Sequence, residues 1–236
     1  KIEKKDLHIK KNEKDEFYFY QTKSHLLKTR DLLIEFTPKI LENYQWKKSM
    51  KWGEFNLNWG RPLKSILSVF DKKVINFNFH HLISSNKTFV DKDLEEKKKT
   101  FEDFKSYEKF FESKGIFINH NKRLNIVNQS FLKILNKRNL SINENPKLIN
   151  EVVNLVDRPN ILLCKFNKKF LSVPKEILVL TMESHQKYFP TFNDKNEITN
   201  EFLVVANNKD NKGLIRTGNE NVVEARLNDA EFFWNK

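Results

Sequence analysis

The sequence predicts an α+β fold with mixed or antiparallel sheets and packed helices, because helical and strand patterns intermingle without a regular strand–helix–strand repeat. The clearest strand pattern is the hydrophobic run Phe202–Ala206. The clearest helical pattern follows it, as one apolar stripe spaced at i, i+4, i+7 and i+11: Val223, Leu227, Ala230 and Trp234. We expect one α+β region over residues 1–236, divisible into subdomains at about 1–145 and 146–236.

The composition allows a substantial core and favours a polyanionic partner. Hydrophobic residues make up 39% of the 236 residues, and 21 of them are Phe. No run of 18 apolar residues occurs, so we predict no membrane partner. The net charge of +12 favours nucleic acid. Only seven of the 43 basic residues are Arg, however, and an A/T-rich genome would produce the same Lys excess, so charge alone does not decide for RNA binding.

Residues that would carry catalysis or bind a metal are not apparent. The six histidines lack metal-ligand spacing, so we predict no metal site. The five glycines form no phosphate-binding loop, so we predict no catalytic residue and no cofactor bound by this fragment. The single cysteine, Cys164, lies in an apolar strand, where it is expected to be a core residue. With one cysteine the chain can form no intrachain disulfide, which fits a cytoplasmic protein.

The first half of the chain predicts short strands and two helical regions. Phe17–Tyr20 has the residue types of a strand. Residues 23–44 have helical spacing, which Pro38 is expected to split into two helices. A hairpin is predicted across Asp71-Lys72, and a charged helix over residues 91–114.

The second half predicts three further helices, two strands and the final helix. Their expected bounds are a helix with the stripe Leu124, Val127, Phe131 and Leu135, a helix over 146–156, a strand over 160–166, a helix from Pro174 to His185, the strand 202–207 and a helix over 221–234. Asn219 or Asn221 is expected to cap the last helix.

Three segments of the C-terminal third carry a specific resemblance. They are the patterns Met-x-x-His-Gln-x-Tyr-Phe from Met182, Phe-x-x-Val-x-Asn from Phe202 and Gly-Asn-Glu-x-Val-x-x-x-Arg-Leu-x-Asp-Ala-x-Phe-Phe from Gly218. Upstream, Lys48-Ser49-Met50-Lys51-Trp52 and Arg61-Pro62 match further family segments. In order and spacing, the chain resembles the beta subunit of the bacterial two-subunit glycyl-tRNA synthetases. It departs from that family at Ser85–Thr88, so the role of the family's Arg and His there cannot be transferred.

The resemblance implies a reaction and a set of partners. The whole enzyme attaches glycine to tRNA(Gly) using ATP with Mg, in the cytosol, as an alpha2 beta2 assembly whose alpha subunit carries the adenylate chemistry. The beta subunit supports tRNA binding and assembly. This chain is then part of a larger multidomain subunit and is not catalytic alone. Two other hypotheses stay open at this point: a stand-alone RNA-binding module, or a non-catalytic scaffold that docks another subunit.

The predicted tRNA-binding residues are Gln186, Lys187, Arg216 and Arg226, which lie in or beside the best-matched segments. Such side chains grip an RNA backbone or a base edge. Arg226 is equally compatible with an ion pair to Asp229, three residues later. The neighbouring Tyr188 is expected to pack in the core. The aromatic run Phe17–Tyr20 would suit base stacking, but core packing is the favoured interpretation.

Overall fold

The computed structural model describes residues 3, 7–11, 13, 15–22, 26–89 and 98–236. The chain separates into two compact units, 1–103 and 104–236. The subdomain boundary expected near residue 145 lies inside the second of these units, between two helices that cover one core. The fold class is confirmed, because the described residues form helices and small antiparallel sheets. Among them, no helix is long and apolar enough to cross a membrane.

The first unit combines one long helix with short antiparallel pairs of strands. Its elements are β1 (Leu7–Lys11), β2 (Glu16–Tyr20), α1 (Thr29–Glu42), β3 (Val69–Phe70), β4 (Lys73–Val74), β5 (Asn78–Phe79), β6 (Leu82–Ile83), β7 (Lys87–Phe89) and β8 (Lys98–Thr100). Each odd-numbered strand pairs with the strand that follows it. The hairpin predicted across Asp71-Lys72 is present, and both turn residues have the positive φ that suits a tight two-residue turn.

Helix α1 corrects the prediction of two helices. Pro38 lies inside one continuous helix, and no second helix begins at Thr37. The helix tolerates the lost backbone donor because its inner face, with Leu33, Ile34 and Leu41, packs on the first unit's core. That core consists of four buried residues, Leu57, Ile75, Phe77 and Phe79.

The β1–β2 hairpin overturns the core-packing interpretation of its aromatic residues. Its register pairs Leu7 with Tyr20 and Lys11 with Glu16. The strand Phe17–Tyr20 exists as predicted, but its four aromatic side chains are 42% to 68% exposed. A two-stranded ribbon without a covering layer leaves both of its faces open, which is why strand formation did not imply burial here.

The second unit has five α-helices and a three-stranded antiparallel sheet. Its elements are α2 (Phe104–Ser113), α3 (His120–Arg138), α4 (Pro146–Leu155), β9 (Asn160–Lys165), α5 (Lys175–Leu180), β10 (Phe189–Phe192), β11 (Ile198–Ala206) and α6 (Leu214–Trp234). The sheet order is β10-β11-β9. The helix predicted over 91–114 is shorter than expected, since Lys98–Thr100 forms β8 and residues 90–97 lie outside the described residues.

The central strand β11 carries apolar residues on both faces, so helices cover both sides of the sheet. Phe202 and Val204 face one core, which they share with α5 and α6. Leu203 and Val205 face the other, which they share with α3 and α4. Because side chains alternate along a strand, the unbroken hydrophobic run of β11 is what a strand buried on both faces requires. Cys164 on β9 is fully buried, as expected, and burial raises the pKa of its thiol to about 12.

Helix α6 begins earlier than predicted and is capped differently. It starts at Leu214, and the Asp210 carboxylate accepts hydrogen bonds from the backbone N–H groups of Ile215 (3.0 Å) and Arg216 (2.9 Å). The cap by Asn219 or Asn221 was therefore wrong, because both residues lie within the helix. Of the predicted stripe, Val223 and Leu227 are fully buried, Ala230 is partly buried and Trp234 is exposed.

Candidate functional site

The best-matched motif folds as a widened helical turn. Helix α5 continues as a π-helical segment, Thr181–Gln186, which ends where Lys187 adopts a left-handed conformation with φ 61°. The backbone N–H of Tyr188 donates to the carbonyl of Met182 at 3.0 Å. Met182 and Tyr188 are both buried, so the core anchors the two ends of this turn. Short π-helical segments occur frequently at functional sites.

The polar side of this turn faces helix α6 across a cavity of about 320 Å³. The lining residues are Thr181, His185, Gln186, Arg226 and Asp229. Two of the four predicted site residues, Gln186 and Arg226, therefore meet at one place although 40 residues separate them in the chain. Within the described part of the chain, Arg226 forms no ion pair with Asp229, so the purely structural interpretation of Arg226 finds no support.

The other two predicted residues lie elsewhere. Lys187 Nζ is 3.0 Å from a carboxylate oxygen of Glu151 on α4, so this cation already has an anionic partner. Arg216 lies in the first turn of α6, ten residues before Arg226, which corresponds to about 15 Å along a helix axis. The predicted set thus divides into the pair Gln186–Arg226 and two separate cations.

The electrostatics at the start of α6 fix the position of Arg216. Partial burial alone would raise the pKa of Asp210, but the backbone N–H donors of Arg216 and Ile215 and the Arg216 charge outweigh it and hold that pKa below its usual value. The capped helix start is therefore stabilised at neutral pH, where Asp210 is ionised. Protonation of Asp210 in acid removes that stabilisation, because the folded state has the lower pKa.

The core behind the cavity holds the motif rigid. Tyr188 packs against Phe202 with ring centroids 5.4 Å apart, and its hydroxyl donates to Asn219 on α6. Burial raises the pKa of this phenol. Tyr188 and Phe189 are both buried, which confirms that Tyr188 packs in the core as expected.

The cavity is lined by polar and charged side chains. It offers a guanidinium, an imidazole, an amide, a hydroxyl and one carboxylate, which together suit a phosphate oxygen or a base edge. Among the residues that the structure describes, no group of three His, Cys, Asp or Glu side chains could hold a metal ion. Thr181 was missed by the sequence analysis, since only the widened π-helical turn brings it towards α6.

The described residues define an α+β protein whose second unit is built on a small antiparallel sheet. The chain belongs to the glycyl-tRNA synthetase beta subunit family, whose sequence model matches residues 1–236. The resemblance inferred from the motifs is thereby confirmed.

Several curated relatives are named "Glycine--tRNA ligase beta subunit". The one from Rickettsia akari (strain Hartford) is 36% identical over 219 residues, and the one from Rickettsia felis (strain ATCC VR-1525 / URRWXCal2) is 36% identical over 221 residues. Each alignment covers 92% of this chain and 33% of the relative. The chain therefore spans about a third of the length of the curated relatives it matches.

Proposed function

We propose that this chain is the part of a glycine–tRNA ligase beta subunit that supports tRNA binding. In that enzyme, glycine is attached to tRNA(Gly) at the expense of ATP, and an alpha subunit carries the adenylate chemistry in a cytoplasmic alpha2 beta2 assembly. The observation that carries the proposal is the match of the family model from residue 1 to residue 236. The two curated relatives described above are named as ligase beta subunits, which agrees with the proposal.

The residues themselves support this division of labour. ATP catalysis requires a cradle for phosphates, and the five glycines are scattered at positions 53, 60, 115, 213 and 218. The cavity between the π-helical segment and α6 supplies contact groups for RNA without supplying a nucleophile and base at bonding distance. The net charge of +12 adds a general attraction for a polyanion.

The purified 236-residue chain should not catalyse glycine-dependent exchange between ATP and diphosphate, because its sequence contains no glycine-rich phosphate-binding loop. The complete alpha–beta assembly should catalyse the exchange and should charge tRNA(Gly). Radiolabelled diphosphate exchange measures the first reaction, and acid-precipitable glycyl-tRNA measures the second. Exchange by the isolated chain above a no-enzyme control would contradict the proposal.

Binding of tRNA should depend on Arg226. Titration of the chain with tRNA at several salt concentrations gives the slope of log K against log [salt], and Arg226→Gln should reduce that slope by about 1. Lys187→Gln should change it less, because Lys187 is already paired with Glu151.

Lys133→Gln is the matched control for this titration, since it removes an exposed cation from α3 in the same unit. If Arg226→Gln and Lys133→Gln change the slope alike, the charge acts diffusely and the cavity is not a site. If the wild-type chain does not bind tRNA at low salt, the scaffold hypothesis replaces RNA binding.

A further inference from the structure

We propose that the first unit contains a second RNA contact, a pocket that receives one unstacked base of single-stranded RNA. The inference rests on the proposed function, because it takes RNA as the partner. The pocket lies between the end of α1 and the segment 44–58, far in sequence from the cavity at α6. We call it the tryptophan pocket, and it is lined by Leu41, Glu42, Tyr44, Trp46, Ser49, Asn56, Leu57, Asn58 and His80.

Exposed aromatic rings form one wall of the tryptophan pocket. The ring centroids of Tyr44 and Trp46 are 4.8 Å apart, and Trp46 and Trp59 are 5.0 Å apart at an interplanar angle of 62°. Tyr44 is 58% exposed and Trp46 is 38% exposed, so both rings keep surface available to a ligand. Stacking on such rings is the principal way in which proteins hold unstacked RNA bases.

The backbone around Trp46 is shaped for that ring. A Cβ atom added at Gly60 would lie 2.8 Å from Trp46 Cε3, closer than real side chains approach, so the absence of a side chain at Gly60 allows the indole to pack there. Met50 and Trp59 exchange backbone hydrogen bonds of 2.9 and 3.1 Å, which hold the two sides of the segment together. The wall is therefore preorganised.

The pocket lining also carries polar groups that can recognise a base edge. The side chains of Ser49, Asn56 and Asn58 line the pocket and form no hydrogen bond with any other residue that the structure describes. An amide both donates and accepts, which matches the edge of a nucleobase. The cavity volume is about 270 Å³, slightly below the range of about 300–1,000 Å³ usual for small-molecule sites, so it suits a single base.

Cations lie within or directly beside the stretch of chain that supplies most of the pocket lining. Lys47, Lys48, Lys51 and Arg61 are all exposed, and none of them forms an ion pair within the described ranges of the chain. Lys48, Lys51 and Arg61 lie in the two upstream segments that resemble the family and that have no role assigned so far. Stacking rings bordered by unpaired cations are the usual composition of a single-strand binding surface.

An organic cation is a less suitable occupant of the tryptophan pocket. Aromatic rings beside a carboxylate also bind ammonium groups. Among the described residues that line the pocket, Glu42 is the only carboxylate, and its Oε2 atom lies 2.8 Å from Nε2 of His80. A neutral protein strand could pair with the amides of Asn56 and Asn58, but it would leave the exposed cations without anionic partners. A neutral, flat base with a phosphate on either side satisfies the rings, the amides and the cations together.

The experiment compares a labelled single-stranded RNA of ten nucleotides with a duplex of the same sequence, using fluorescence anisotropy and the whole 236-residue chain. Trp46→Ala should weaken binding of the single strand about tenfold, because one base loses its stacking partner. Binding of the duplex, whose bases are already stacked, should change less than about twofold. Trp46→Phe should restore most of the affinity for the single strand, since it restores a ring.

Trp234→Ala is the matched control, because Trp234 is an exposed indole in the second unit. Should Trp46→Ala fail to fold, as judged by circular dichroism, Tyr44→Ala tests the same wall at a more exposed ring. Equal losses for single strand and duplex, or no loss in either variant, would overturn the base-binding pocket while leaving salt-dependent tRNA binding intact. A wild-type chain that binds neither RNA at low salt would instead overturn the proposed function and this inference together.

Discussion

Replacing Leu227 with Ala should lower the free energy of unfolding by about 2–5 kcal/mol. Leu227 is fully buried where α6 packs on the sheet, in a cluster that includes Phe202 and Leu178. Truncation of Leu227 removes apolar surface from the core and leaves a cavity. The closely packed side chains and strands around this cavity cannot easily move to fill it. The change is measured from the shift of the urea midpoint at constant m value.

Phe233→Ala is the matched control for this prediction. Phe233 lies on the same helix but is 74% exposed, so its truncation should alter stability by no more than about 0.5 kcal/mol. Similar small effects of both substitutions would mean that the helix does not pack on the sheet as described. Leu227 would then be a surface residue and not a core residue.

The spacing of hydrophobic residues predicted α3, α4 and β11 of the second unit, because each of these elements buries its hydrophobic residues in a clear pattern. The stripe of α3 places Val127, Phe131 and Leu135 in the core, as expected. Pro146 begins α4, where its missing N–H costs nothing. The hydrophobic run of β11 had to be buried on both faces, and the two helical layers supply that burial.

Where sequence reasoning failed, tertiary context had overridden a local preference. Pro38 was expected to end a helix, but packing of the inner face of α1 maintains the helix through it. Asn221 has the residue type of a cap, but Asp210 provides the carboxylate at the helix start instead. The aromatic residues of β2 have strand propensity, and propensity alone does not say whether another layer covers them.

The candidate site was predictable only in part. Gln186 and Arg226 were selected because each lies in a specific motif, and the fold brings both to one cavity. No sequence pattern signalled the π-helical turn that exposes Thr181, or the ion pair that engages Lys187. The tryptophan pocket draws on α1, the segment 44–58 and His80, and such a convergence of distant residues requires the three-dimensional fold.

Arg123→Ala should destabilise the second unit by about 3 kcal/mol, although Arg123 is only partly buried and forms no ion pair among the described residues. Its Nη1 atom donates to the carbonyls of Phe117 (2.6 Å) and Ile118 (2.7 Å), and its Nε atom donates to the carbonyl of Val153 (3.1 Å). Hydrogen bonds from a charged donor contribute about 1.5–3 kcal/mol each and do not add fully. The guanidinium thus supplies hydrogen-bond donors to the carbonyls of Phe117 and Ile118, which belong to no strand of the described structure.

Two further substitutions on α3 separate the geometry of Arg123 from its charge. Arg123→Lys should recover less than half of the lost stability, because an ammonium group cannot reach three carbonyls in two directions as the planar fork does. Lys133→Ala, at an exposed position of the same helix, should change stability by no more than about 0.5 kcal/mol. Urea denaturation of the four proteins provides the comparison. Full recovery by Lys would show that positive charge alone matters, and the backbone carbonyls would then need partners other than Arg123.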